Sequence, residues 1–303
     1  MSDVDLMLLT GFLGAGLRLG MAIGFAALGE AVAERGGVIN VGIEGIMLVG
    51  AFLATIGAVY SGSPWIGVAL ALVGGAAMAG IHAVLVILWQ VDQIVSGIGL
   101  VVFGSGLSSF LFRLTLGGTP IAVPAMQPIE LGALSKLPVI GPLLFGQNPL
   151  VYIGVISAFG IGFMLNRTAL GLEIRACGEN PDAATAMGIP VSARRIQCII
   201  FGGALAGLGG AYLAIAQINA FVENMVAGRG FLAIACVVFG RWRPVGALAA
   251  AISFGLAEAA QIRLQTRFPD LPYQFLVMLP YIVATMALVM LSRSSSSPTA
   301  LGR

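Results

Sequence analysis

With 303 residues, 58% hydrophobic and only 9% charged, a net charge of +2 and a mean hydropathy of +1.01, the chain is too apolar for a water-soluble domain, in which about a quarter of residues are charged. Its three cysteines, Cys177, Cys198 and Cys236, form an odd, unpatterned set that indicates neither a disulfide framework nor a zinc site. The composition is that of a polytopic membrane protein. The chain opens acidic, at Met1 to Asp5, without the basic region and short apolar core of a cleaved leader, so the first span is expected to be retained.

A membrane helix needs roughly 20 apolar residues to cross about 30 Å of hydrocarbon. On that ruler, spans are expected at 8–29, 41–60, 66–90, 94–115, 149–165, 195–217, 245–262 and 274–291. Glu30 and Glu34 close the first span beside Arg35, where a boundary salt-bridge cluster is expected. The second span is entered through ERGGVINVGIEGIMLVGA, residues 34–51, which puts Asn40 and Glu44 among glycines in its first two turns. Four residues apart, those two share one helix face and point inward, where an amide and a carboxylate find partners. Glu44 is therefore expected to fix helix packing rather than to touch a solute. In the third span His82 has no acidic neighbour at helical spacing, which favours an interhelical hydrogen bond over proton relay. Trp89, Asp92 and Gln93 mark an interfacial helix end, with Ser96 one turn on.

Pro120, Pro124, Pro128, Pro138, Pro142 and Pro149 prevent one continuous helix between 117 and 148, so an external loop with short helical pieces is expected there. The segment 166–195 differs in kind. It holds Arg167, Arg175, Arg194 and Arg195 with Glu173, Glu179 and Asp182, and its arginine excess marks it as cytoplasmic. Alternation from this loop puts 34–37, 90–93, 241–244 and the tail from Ser292 inside, and puts the Pro-rich loop, 217–229, 263–272 and the N-terminus outside. The short apolar piece 230–240 reads as re-entrant, tilted or broken. Glu258, inside the 245–262 span, is spaced to pair with Arg263 or to reach the outer interface.

Within the cytoplasmic loop, CGENPDAATAMGIPVSARR has legible local chemistry. Asn180 or Asp182 can cap a helix beginning at Pro181, Gly188 can end it, and Pro190 prevents its resumption. The result is a short exposed helix with an alanine and methionine face, either a plain connector or a docking element for a cytoplasmic partner.

The pattern of Gly178, Asn180, Ala183, Ala184, Gly188 and Ile189 resembles the coupling-helix loop of the permease family of ABC importers for branched-chain amino acids, ribose-type sugars and nucleosides. The 34–51 stretch resembles the opening signature of the nucleoside and simple-sugar branch, and GRGFLAIACVVFGRWRPVGAL, 228–248, its third recurrent segment. The similarity runs over residues 8–291. It implies an all-α, type II importer permease, a single membrane domain of about eight to ten spanning helices, some broken in mid-membrane. It also implies that the six coupling residues seat in the groove of a cytoplasmic ABC ATPase, that a second homologous permease completes the pathway as a heterodimer or homodimer, and that an external solute-binding lipoprotein delivers the solute in the cytoplasmic (inner) membrane.

The chain carries no G-x-x-x-x-G-K-[ST] phosphate loop, so ATP is expected on the partner, and no catalytic residue, cofactor, metal or nucleic acid is expected here. Candidate pathway or packing residues are Asn40, Glu44, Gln93, Ser96, Asn219, Asn224, Phe231 and Glu258, chosen for polar or aromatic character at breaks between spans. A nucleoside or simple sugar is the expected solute, with branched-chain amino acids behind. Scarce buried acids count against a gradient-driven secondary transporter, the lack of a charged ring against a channel, and the isolated cysteines and lone His82 against a membrane enzyme.

Overall fold

The structure, a computed structural model, describes residues 3–129, 145–268, 273–278, 281–282 and 297–302, which form helices and connecting segments with no strand among them. Backbone N–H and C=O groups in a bilayer must be satisfied internally, and long apolar runs do so as helices. In chain order these are α1 (Asp3–Arg35), α2 (Ile43–Ser61), α3 (Pro64–Ala83), α4 (Gln93–Leu116), α5 (Pro149–Arg167), α6 (Ala169–Glu179), α7 (Pro181–Ala186), α8 (Val191–Tyr212), α9 (Arg229–Phe239), α10 (Pro244–Arg267) and α11 (Tyr273–Val277). Helices α3 and α8 each widen into a π turn at their ends, Val84–Leu88 and Leu213–Gln217.

Among the described residues, seven helices are long and apolar enough to cross a membrane: α1, α2, α3, α4, α5, α8 and α10. The protein is a multi-pass membrane protein. The eighth expected span, 274–291, falls mostly outside the described residues, as do 130–144 of the Pro-rich segment. Of that segment's described parts, 117–129 and 145–148, the stretch 117–129 is not helical, and Val123 and Met126 donate their N–H groups to the Asn219 and Ile215 carbonyls at 3.0 Å each. Helix α1 continues to Arg35 rather than ending at 29, because Glu30 and Glu34 are buried and hydrogen-bonded within the protein. Acidic residues that find partners do not mark a membrane boundary.

Helix α1 packs along α8 and α10, and α3 packs against α8 and α2. The spans of α8 and α2 are 83% and 78% buried, against 28% for α4 and 33% for α5, so α8 and α2 form the core and α4 and α5 its periphery. Small residues set these crossings: a Cβ on Gly50 would collide with the Gly207 backbone, and one on Gly104 with that of Gly45. Lipid gives two helices little hydrophobic reason to associate, so close backbone approach supplies the packing. The end of α1, the α5–α6 junction, the start of α8 and the α9–α10 turn meet at one arginine-rich end, where Arg195 donates to the Gly36 carbonyl and Arg35 to that of Trp242. At the opposite end the guanidinium of Arg263 lies 5.2 Å from the Phe12 ring centroid, joining α10 to the start of α1.

Candidate functional site

After Arg35 the chain turns back toward the interior as an irregular segment, 36–42, before α2 begins. Non-helical backbone buried from water needs protein partners, and buried side chains from three helices supply them. Glu30 accepts the Asn40 N–H at 2.8 Å, and Gln93 accepts the Ile39 N–H at 2.8 Å. His82 Nε2 lies 3.3 Å from the Ile39 carbonyl and Nδ1 lies 2.9 Å from Ser96 Oγ. A carbonyl can only accept, so Nε2 carries the proton and Nδ1 receives the Ser96 hydroxyl; both ring nitrogens are occupied. Asn40 turns its own Oδ1 to the Gly42 N–H at 3.0 Å, closing the entry to α2.

The first turn of α2 then serves another helix. Helix α9 has 11 residues, about 16 Å at the helical rise, or roughly half of a hydrocarbon core. Its N-terminus stops inside the bundle with no side-chain cap of its own, at Gly228 in the left-handed region (φ 85°). Glu44 supplies the cap: Oε1 accepts the Gly228 N–H and Oε2 the Gly230 N–H, both at 2.7 Å. The carboxylate thus meets both the orphan donors and the positive end of the helix dipole. A Cβ at Gly230 would lie 2.6 Å from the Glu44 backbone, so only glycine allows this approach. Between the two glycines, Arg229 turns away and pairs with Glu258 on α10 at 2.6 Å, the side chains 17% and 24% exposed.

The far end of α9 is tied to α1. Trp242 Nε1 donates to Glu34, and Arg35 Nε donates to the Trp242 carbonyl at 2.9 Å. This corrects two sequence expectations. Glu30, Glu34 and Arg35 form no salt bridge among the described residues, because Arg35 is spent on the carbonyls of the α9–α10 turn and the two acids on Asn40 and Trp242. Glu258 pairs with Arg229 and not with Arg263, which covers Phe12 instead.

The connection 218–228 lies toward the Pro-rich end. It is pinned by Phe221, which is 1% exposed and has ring centroids 5.8 Å from Phe52 and 4.9 Å from Phe112. On its outer face Glu223 accepts a forked pair of bonds from Arg113, at 2.8 and 3.0 Å, and that guanidinium holds the Glu223 carboxyl below its ordinary pKa. Asn219 and Asn224 are exposed and left-handed (φ 57° and 59°), and Phe231 at the start of α9 is 47% exposed. The eight pathway candidates therefore divide. Asn40, Glu44, Gln93 and Ser96 are buried and used by backbone or His82, Glu258 is in an ion pair, and Asn219, Asn224 and Phe231 keep open surface.

At the arginine-rich end, α6 is capped by Thr168, whose Oγ1 accepts the Gly171 N–H at 3.1 Å. Asn180 then caps α7 by accepting the Ala183 N–H at 3.0 Å, Pro181 occupies the first turn, and Gly188 follows the helix at φ 81°. Ala184 is 3% exposed and faces the body of the protein, whereas Met187 is 82% exposed and Ala183 lies on the surface. The Ile189 N–H returns to the Ala184 carbonyl at 3.0 Å, closing the turn. Gly178 has a packing reason: a Cβ there would overlap the Arg35 carbonyl oxygen. Burial beside it pushes the Cys177 thiol up from its ordinary pKa.

Sequence reasoning missed three contributors. Arg229 and Trp242 complete the two ends of α9, and the C-terminal residues dock beside α6: Ala300 donates to the Gly178 carbonyl at 2.9 Å, Gly302 to that of Gly37 at 3.2 Å, and Thr299 Oγ1 to Glu179 at 2.8 Å. The GRG triplet at 228–230, ahead of an 11-residue apolar run, was the available sign of a helix terminus needing an outside acceptor.

Residues 12–289 match the family described as branched-chain amino acid transport system permease component. The guanosine ABC transporter permease protein NupQ of Bacillus subtilis is 35% identical over 91% of this chain and 90% of its own length. The nucleoside ABC transporter permease protein NupC of Lactococcus lactis is 34% identical over 92% of this chain and 91% of its own. TsgC13 of Haloferax volcanii, whose name assigns it provisionally to a glucose ABC transporter as a permease protein, is 38% identical over 84% of this chain and 78% of its own. No solved structure matches. With seven spanning helices among the described residues and a family match over residues 12–289, the chain belongs to the branched-chain amino acid transport system permease family, as a transport subunit and not an enzyme.

Proposed function

We propose that this protein is the permease subunit of an ATP-driven importer for nucleosides, with simple sugars as the second substrate class. The observation that carries the reading is similarity over 91% and 92% of the chain to permeases named for guanosine and nucleosides. The relative named for glucose supports the second class. A cytoplasmic ABC ATPase supplies the energy, a second homologous permease completes the pathway, and an external solute-binding lipoprotein delivers the solute at the cytoplasmic membrane. The ATPase groove receives α7 and its flanks, Gly178 to Ile189, and the exposed Ala183 and Met187 make the contact while the buried Ala184 seats the helix against the permease. The solute meets Asn219, Asn224 and Phe231, whose amides suit hydroxyl groups and whose aromatic ring suits a base or a sugar face. Asn40, Glu44, Gln93, Ser96 and Glu258 hold the surrounding framework.

The test is reconstitution with the partner ATPase, second permease and binding protein, measuring stimulation of ATP hydrolysis by guanosine, other nucleosides, pentoses, hexoses and leucine. Nucleoside stimulation is expected. Stimulation by a sugar alone moves the assignment to the second class, by leucine alone to branched-chain amino acids, and uptake driven by an ion gradient through the purified chain alone overturns the importer reading.

A further inference from the structure

A small cavity of about 140 Å³ lies at the arginine-rich end, where α1, α5, α6 and the α9–α10 turn meet. Three guanidinium-bearing side chains, Arg35, Arg175 and Arg243, line it together with Asn166 and Trp242. Arg175 and Arg243 both act on Arg35 electrostatically, and Glu179 is the acid that faces it. Glu179 itself accepts from the Thr299 hydroxyl, and among the described residues none of the three arginines forms a salt bridge. Arg35 spends Nε and Nη2 on the carbonyls of Trp242 and Arg241, and Arg175 spends Nε on that of Gly171, so each guanidinium keeps further N–H donors. Like charges held this close repel unless an anion lies between them.

The cavity is well below the roughly 300–1,000 Å³ of sites for drug-sized ligands, and suits a tetrahedral oxyanion. Its position decides the source. It lies between the last turn of α5 and the first of α10, and within one turn toward the bilayer Phe163 and Val245 are 65% and 42% exposed. The exposed residues of α7, by contrast, do not line it. We propose that this cavity binds the phosphate of an anionic phospholipid headgroup, with the acyl chains lying along the apolar faces of α5 and α10. Guanidinium groups match phosphate oxygens by paired N–H donation, and basic pockets between membrane helices are suited to such headgroups.

The full chain reconstituted in phosphatidylcholine with spin-labelled phosphatidylglycerol tests this, reading the ratio of association constants for the two lipids. The wild type is expected to prefer phosphatidylglycerol, and Arg175→Gln with Arg243→Gln to lose that preference by at least about fivefold, the effect of one basic residue near an anionic surface. Arg167→Gln, an exposed arginine outside the cavity, is expected to leave it unchanged. Thermal unfolding of every variant in phosphatidylcholine alone separates lost binding from lost folding. Equal loss in Arg167→Gln reduces the effect to diffuse charge and overturns the site. Abolition of the preference by millimolar inorganic phosphate assigns the cavity to a free anion, and unchanged lipid preference with weakened ATPase association assigns it to an acidic protein surface; either overturns the lipid assignment.

Discussion

Two short helices of this protein begin in opposite ways. Helix α7 is capped by Asn180, three residues from the N–H it accepts, on a surface where Met187 is 82% exposed. Helix α9 is capped by Glu44, 184 and 186 residues away in sequence, at a buried position. Both solve one problem, since the first N–H groups of any helix lack internal partners. Water can share that work at the surface, so a neutral local amide suffices for α7 and leaves it free to be presented as a unit. Inside the bundle water does not share the work in the same way, and for α9 a carboxylate is delivered by another helix, which locks α2 and α9 together.

The largest effect belongs to Glu44. Glu44→Ala leaves the buried Gly230 N–H and the part-buried Gly228 N–H without this acceptor, at about 1–3 kcal/mol for the buried one and less for the other, and removes the charge facing the α9 dipole. A fall of several kcal/mol, seen as a much lower melting temperature in detergent or as loss of folded protein, is the expected outcome. Glu44→Gln keeps one acceptor oxygen and falls between. Wild-type melting in Glu44→Ala would mean that α9 is held by something other than this cap.

Next comes the Arg229–Glu258 pair. Removing one member of a buried pair costs about 3–5 kcal/mol, and with side chains 17% and 24% exposed we discount this to about 1–3 kcal/mol. Arg229→Met or Glu258→Met should each destabilise, while the double replacement recovers part of the loss. Additive losses in that double-mutant cycle contradict a direct pairing.

The smallest effect is at the exposed Arg113–Glu223 pair. Because the Glu223 carboxyl is held below its ordinary value, its contribution is present above the unfolded-state pKa and is lost as pH falls through the lowered folded value. Protection factors of the 218–228 amides, corrected for the pH dependence of intrinsic exchange, should therefore fall on acidification in the wild type, and be already low and less pH-sensitive in Glu223→Gln. Melting of the whole protein should barely change. Equal acid sensitivity in the two proteins contradicts the pairing.

The same contrast explains what the sequence disclosed. The seven spans among the described residues were legible because roughly twenty apolar residues are required to cross a bilayer whatever they pack against. Helix α7 was legible because Asn180, Pro181 and Gly188 carry its start and stop within nine residues of each other. Hydropathy reports depth, but not which way a side chain faces within the bundle. That is why Glu34 could not be matched to Trp242, 208 residues away, or Glu258 to Arg229 on a different helix. Glu30 and Glu34 looked like a boundary for the same reason: polar residues signal an interface only when their partners are unknown. The docking of Thr299, Ala300 and Gly302 had no signal, since it rests mainly on backbone groups that every sequence carries.

The most direct test of the importer reading uses the exposed face of α7. In the reconstituted transporter with its ATPase, second permease and nucleoside-loaded binding protein, Met187→Glu is expected to abolish nucleoside-stimulated ATP hydrolysis while the permease melts as the wild type does, because the side chain touches little of its own chain. Full stimulation in Met187→Glu, at unchanged assembly, would contradict the assignment of α7 as the element that couples ATP hydrolysis to transport.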